Sequence, residues 1–287
     1  MNSYLYDEDR WPSGSAGGFT AKENPENRRK LLCFTYTPYD DGTLITEADK
    51  EKSKKPNSEY AFLACFDVEL DSQSKLVSYK RISLSENAAE GHEKWFAYME
   101  YAGYADVMRK EAIDTFINIT HEKYKQWFGG EFGESVPTIF TDEPQMIPKK
   151  PLEHACDKSS VILPYTNDLD ETFKKKYGIS LLDNLPVLIW ENASGIPSPL
   201  RYYYHDHTTE RFAEAFGDNI GKWCEENNIM FTGHMMNENT LYSQTMSVGE
   251  AMRHYRGFGL PGIDMLCDKR ELNTAKQAQS AAHQYGK

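Results

Sequence analysis

The chain has 287 residues, a net charge of −12 and a hydrophobic fraction of 39%, enough length to bury a core without disulfide or metal staples. The acidic balance excludes the clustered Lys and Arg that a nucleic-acid partner requires. No run approaches the roughly 20 apolar residues of a membrane span, and MNSYLYDEDR lacks the charged-then-apolar layout of a signal peptide, so a cytoplasmic chain is expected.

Tyr4-Leu5-Tyr6 reads as a short strand that stops at Asp7-Glu8-Asp9, followed by the Gly/Ser-rich loop WPSGSAGG. Residues 31–37, 60–70, 75–82 and 94–101 are aromatic and β-branched runs separated by turn residues. Residues 29–101 therefore read as a small β-rich insertion, with the polar stretch 40–59 as a loop. Residues 1–28 and 102–287 form the rest. From residue 102 helices and strands alternate. A helical stripe over 109–128 (Ala112, Ile113, Phe116, Ile117, Thr120, Tyr124, Trp127) ends at Gly129-Gly130. Residues 136–141 form a buried strand, 168–177 a short helix closed by Gly178, and 209–227 a longer helix with Phe212, Phe216, Ile220 and Trp223 on one face. The spacing then predicts a strand over 229–233, a capping box at Ser247–Glu250, a strand over 262–266 and a last helix capped by Asn273.

This alternation implies a parallel sheet with helical crossovers. Long loops carrying the unusual residues after each strand suit a (β/α)8 TIM barrel, whose sites lie at the strand C-terminal ends. The competitor, a doubly wound sheet, usually carries a Gly-rich phosphate turn, and none is present.

The sharpest chemical signal is VPTIFTDEPQ, residues 136–145, where an apolar strand runs into Asp142-Glu143. Pro144 disfavours helical geometry at Glu143, so the strand is expected to stay extended through it. Glu143 reads either as a general acid for a glycosidic oxygen or as part of a surface Asp-Glu turn. In IMFTGHMMNENTLY, Gly233 permits close backbone approach to a ligand, His234 is a candidate for binding a sugar hydroxyl, and Glu238 is a candidate second carboxylate. A satisfied core histidine and a helix-start residue are the plainer readings. Asp264 interrupts the apolar LPGIDML and needs a partner or a substrate. Asp7, Glu8 and Trp11 follow the first strand, Trp11 as a sugar-stacking wall and the two carboxylates as substrate contacts or structural groups. Glycosidases need two opposed carboxyls. Glu143 and Glu238 are the candidate catalytic pair, with Asp7, Glu8, Trp11, Asp142, His234 and Asp264 as candidate substrate contacts.

His205-Asp206-His207 lacks a clear third ligand and reads as a polar helix entry, so no metal site is expected from spacing. Five scattered cysteines without a CxxC read as buried free thiols. A metal-dependent hydrolase using His205, His207 and His234 stands as a third alternative.

YDEDRWPSGSAGG, FINITHEKY, IFTDEPQ, FTGH and GLPGIDML together resemble bacterial glycoside hydrolases with (β/α)8 domains, with glycoside hydrolase family 106, the α-L-rhamnosidases, as the named relative. The resemblance implies an oligosaccharide or glycoside substrate and hydrolysis of an O-glycosidic bond. It implies that YLYDED is the second barrel strand, IFTDEP the fourth, IMFTGH the fifth and GIDML the sixth, with a third before the 109–128 helix. It places the acid on Glu143 and implies an incomplete barrel of about strands 2–6, the partner carboxylate lying beyond Lys287. No cofactor is expected from the residues; the family resemblance alone implies calcium. The rival expectation is a carbohydrate-binding or degenerate barrel fragment without turnover.

Overall fold

The computed structural model describes residues 3–7, 14, 18–40, 42, 45–265 and 272–287. Among them are nine strands: β1 (Tyr4–Tyr6), β2 (Arg28–Thr35), β3 (Tyr60–Leu70), β4 (Leu76–Ile82), β5 (Glu93–Ala105), β6 (Thr138–Asp142), β7 (Val161–Tyr165), β8 (Met230–His234) and β9 (Leu260–Pro261). They form a mixed α/β structure with one four-stranded sheet, β1-β6-β8-β9, and one five-stranded sheet, β4-β3-β5-β2-β7. The chain divides into two compact units. The first comprises Met1–Arg29, Gly103–Pro148 and Thr208–Lys287, and the second Lys30–Ala102 and Lys149–His207. The β-rich unit is thus larger than expected, because it also takes 149–207. Its added strand β7 pairs antiparallel with β2.

The first unit carries the parallel sheet. β6 pairs with β1 from Tyr4↔Thr138 to Tyr6↔Phe140, and with β8 from Thr138↔Met230 to Asp142↔His234. β9 adds to β8 at Thr232↔Leu260. No strand stands between β1 and β6, so the family-based register, which put one there, is corrected. The residues assigned to that strand run instead into the end of β5 in the other sheet.

Side chains alternate across this sheet with period two. Ile139 and Phe231 are buried and join Leu5 in a core built with Ile113, Phe116, Phe212, Phe216 and Ile220 from the helices. The opposite face carries Tyr4, Tyr6, Phe140, Met230 and Leu260 beside Thr138 and Thr232. Tyr4 is 70% exposed and Leu260 52%. Among the described residues, helices cover only one face.

The helix expected over 109–128 is two helices, Lys110–Ile119 and His121–Phe128, broken at Thr120 (φ −110°, ψ −66°). Beyond the break Tyr124 still packs on the core, but Trp127 is 80% exposed and His121 is buried instead. The helix expected at 209–227 begins at Pro199 and continues through a π-helical turn, Ala213–Asp218, to Glu226. Residues 205–207 are therefore helix interior, not its entry. Ser247 ends the helix Leu241–Ser247, and the capping box lies at its start, between Thr240 and Ser243. The last strand is only Leu260–Pro261, which leaves Asp264 in the segment beyond it.

The second unit packs its antiparallel sheet around aromatic rings. Phe34 stacks on Trp95 at 5.4 Å, and Trp190 meets Trp95 edge-on at 5.0 Å. Cys33, Cys65 and Cys224 are buried free thiols as expected, whereas Cys156 is exposed. Cys267 lies outside the described residues. No helix among the described residues is long and apolar enough to cross a membrane.

His121 is wedged between Phe116 and Trp223, and neither ring nitrogen has a hydrogen-bond partner. Burial lowers its pKa to about 3. The folded pKa lies below the unfolded value of about 6.5, so the unfolded chain takes the proton first. The stability from this group is full above that pH and is lost as pH falls toward 3. Melting temperature should fall more steeply with acidification in the wild type than in His121→Phe. Parallel slopes between pH 7 and 4, read by circular dichroism, would contradict this account.

Candidate active site

The register of β6 on β8 sets Asp142 and His234 side by side at the carboxyl ends of two parallel strands. His234 Nε2 lies 2.9 Å from Asp142 Oδ1. The Tyr6 hydroxyl donates to the other oxygen, Asp142 Oδ2. Asp142 thus ties the last residues of three adjacent strands together. His234 is 7% exposed, and its Nδ1 has no hydrogen-bond partner. With Nε2–H donating to the carboxylate, a neutral imidazole keeps a lone pair on Nδ1.

Glu143 does not continue the strand. Its φ is +49°, in the left-handed region, correcting the expected extended backbone. Its N–H donates to the His234 carbonyl at 3.1 Å. Pro144 disfavours right-handed helical geometry at this position, and the backbone turns the other way. A left-handed non-glycine residue costs on the order of 1 kcal/mol or more, and such strain clusters at functional sites. The turn brings Glu143 to His234 and Asp264: one ligand atom from each lies within 4.8 Å of the others.

Asp264 is held by a residue that sequence reasoning assigned to catalysis. Its N–H donates to Glu238 Oε1 at 2.9 Å. Glu238 Oε2 accepts from the Tyr255 hydroxyl at 2.6 Å and from Met235 N at 3.2 Å. Glu238 is only 5% exposed, so its carboxylate braces the segments around β8 and β9 from below. A cleft of about 540 Å³ opens above, lined by Tyr4, Tyr6, Phe140, Asp142, His234 and Asp264 among others; neither Glu238 nor Glu143 is part of that lining, and Glu143 reaches it only through its neighbours His234 and Asp264.

Asp7 is fully buried. By alternation it faces the helices, opposite to Tyr6, and its N–H donates to the Phe140 carbonyl at 3.0 Å. There, after burial itself, it is the next influence pushing the Cys224 thiol up. Asp7 is therefore not on the cleft face. Glu8 and Trp11 lie outside the described residues. The aromatic surface of the cleft comes from Tyr4, Tyr6 and Phe140, which sequence reading passed over although YLY already placed two rings on one face.

Gly233 sits against the neighbouring strand. A Cβ there would lie 2.0 Å from the Thr141 carbonyl oxygen, and its φ is +139°. The close approach expected of this glycine is to β6, not to a ligand.

Glu143, His234 and Asp264 offer one nitrogen and two carboxylate oxygens. Calcium takes six to eight oxygens, so this set does not fit the ion implied by family resemblance. An imidazole with two carboxylates suits a smaller divalent ion such as zinc or manganese. His205 and His207 are engaged within the second unit, His205 with Lys149 Nζ at 3.0 Å and His207 with Thr172 Oγ1 at 3.0 Å.

No family model and no curated protein matches the chain. Solved structures with a related fold include one named neighbour. It is a rhamnosidase from Novosphingobium sp. PP1Y, similar with a TM-score of 0.50 at 17% identity. The similarity covers 72% of this chain and 20% of the rhamnosidase, so the chain spans about a fifth of that protein's length.

Gly233→Ala should destabilise the chain by roughly 2–4 kcal/mol, since both the strand contact and the backbone angle oppose a Cβ. A urea melt with an unchanged midpoint would show that β6 and β8 are not packed as described.

Proposed function

We propose that the chain hydrolyses O-glycosidic bonds of the α-L-rhamnoside type on a (β/α)-barrel scaffold, with Glu143 as general acid. The observation that carries this reading is the convergence of Asp142, Glu143, His234 and Asp264 at the carboxyl ends of parallel strands, beside an aromatic-lined cleft. The likeness to a rhamnosidase supports it.

In this reading Tyr6 and Phe140, with ring centroids 5.2 Å apart, offer apolar surface to a sugar ring. The Asp142 carboxylate, held by His234 and Tyr6, accepts a hydrogen bond from a sugar hydroxyl in the cleft. Glu143 gives its proton to the leaving oxygen as the bond to the anomeric carbon breaks, and a water adds at that carbon while losing its proton to a second carboxylate, for which Asp264 in the cleft wall is the candidate. Its left-handed backbone fixes the approach of the carboxyl before substrate arrives. Glu238, with both oxygens engaged, holds the Asp264 segment and does not touch the sugar.

Aryl α-L-rhamnoside hydrolysis by the wild type, Glu143→Gln and Glu238→Gln tests these roles. Glu143→Gln should lower turnover by roughly 10²–10⁴-fold with folding intact. Glu238→Gln should lower the melting temperature and cost less turnover. Normal turnover in Glu143→Gln would sink the acid assignment. Sugar binding by a wild type that never turns over would favour the binding-module reading.

The grouping of Glu143, His234 and Asp264, one ligand atom from each within 4.8 Å of the others, favours a second reading, metal-assisted hydrolysis. It predicts that chelation abolishes turnover and that zinc or manganese restores it. Full activity in a chelator would leave the carboxylate mechanism.

A further inference from the structure

We infer that the recess between the loop 191–198 and the start of the helix Pro199–Phe212 binds a small monocarboxylate on the Arg201 guanidinium. The site belongs to the second unit and goes beyond the hydrolase reading; neither depends on the other.

Short-range contacts build the recess. The helix Pro186–Ile189 ends at Trp190, whose backbone is extended (φ −106°, ψ 150°). The chain then docks on β4: Leu76 N donates to the Glu191 carbonyl at 2.8 Å, and Ala193 N to the Leu76 carbonyl at 2.9 Å. Gly195 turns the loop back with φ +74°, a left-handed angle that favours glycine. Asn192 Nδ2 then closes it on the Ile196 carbonyl at 2.8 Å. Trp190 is 1% exposed and its Nε1 donates to the Ala155 carbonyl at 2.9 Å, so one wall is fixed. The space left is about 130 Å³, lined by Trp190, Glu191, Ile196, Ser198 and Arg201 among others.

Arg201 calls for an occupant. Its Nε donates to the Val187 carbonyl at 2.7 Å, which fixes the guanidinium plane. Among the described residues neither amino nitrogen makes a hydrogen bond, and the side chain forms no ion pair. Nη2 is buried, whereas Nη1 keeps solvent access. A guanidinium cannot give up its proton, so most of its donors are left unmatched here. An anion at Nη1 would form a charge-assisted hydrogen bond to a group already partly desolvated by folding.

Size and charge select the anion. A space of about 130 Å³ admits only a few heavy atoms. Burial lowers the Arg201 pKa, and the Glu191 carboxylate opposes that shift, so a negative charge already acts on the site. That charge repels a phosphate dianion about twice as strongly as a monocarboxylate. Trp190, Ile196 and Pro197 give the lining an apolar part that suits a short alkyl tail. The recess also meets the N-terminal end of a 14-residue helix, whose dipole favours an anion.

Calorimetric titration of the whole chain with sodium propionate at fixed ionic strength should show saturable 1:1 binding, with Kd on the order of 1 mM for so small a ligand. Arg201→Gln should weaken binding at least about tenfold with unchanged far-UV circular dichroism. Glu191 is exposed, and Glu191→Gln should tighten propionate binding about two- to fivefold in folded protein. No saturation up to about 50 mM propionate overturns the inference. So does undiminished binding by folded Arg201→Gln. An affinity unchanged in Glu191→Gln overturns it too, a readout that stands if Arg201→Gln fails to fold. Phosphate binding tighter than propionate would replace the monocarboxylate with a dianion and overturn the assignment.

Discussion

The alignment of β6 with β8 decides which side chains meet at the site. With Asp142 opposite His234, the odd partners Ile139, Thr141, Phe231 and Gly233 turn toward the helices, while Phe140, Asp142, Thr232 and His234 turn away. A slip of one residue would exchange those faces completely. The alignment is enforced from both sides. Ile139 and Phe231 are fully desolvated in the core, each contributing on the order of 2 kcal/mol. Gly233 lets its strand lie so close to Thr141 that only a side chain of hydrogen fits.

Around that pair, polar groups are divided between two tasks. Glu238 is buried and saturated by donors from three places in the chain, so removing it would strand buried N–H and O–H groups. Asp142 is partly exposed and links Tyr6 to His234 across the ends of three strands. Glu143 and Asp264 belong to neither strand interior. One is aimed by an unusual backbone angle, and the other by a hydrogen bond from its own N–H. Rigid strands thus carry the site, and short irregular segments aim it.

Much of this was legible in the sequence, for definable reasons. The apolar run into Asp142-Glu143 marked a strand end because period and composition agree there, and His234 followed from the same pattern. The alternation of β1 was equally readable. The left-handed turn at Glu143 was not, because Pro144 excludes one backbone region without choosing among the others. Glu238 looked like a second catalytic carboxylate because its partners lie at 235, 255 and 264, a convergence visible only in three dimensions. Of the two expectations for Asp7, substrate contact or structural group, the alternation already favoured the second, since residues 4 and 6 claim the cleft face and leave 7 to the other. Residues 149–207 were assigned to the barrel because their helices obey the same local rules whichever unit they pack in.

The division of the chain also governs the order in which it can fold. Within the β-rich unit, β3 pairs with β4 and β5, close neighbours in sequence. In the parallel sheet Tyr4 must find Thr138, and Thr138 must find Met230. Closing such loops carries an entropy cost repaid only when the sheet is nearly whole, and pairings of this range fold slowly. During synthesis β1 emerges well before β6 and waits unpaired for it, while the local hairpins form in the interval. β1 is therefore among the last strands of its sheet to be secured, and its Tyr-Leu-Tyr run is open to wrong partners throughout that wait.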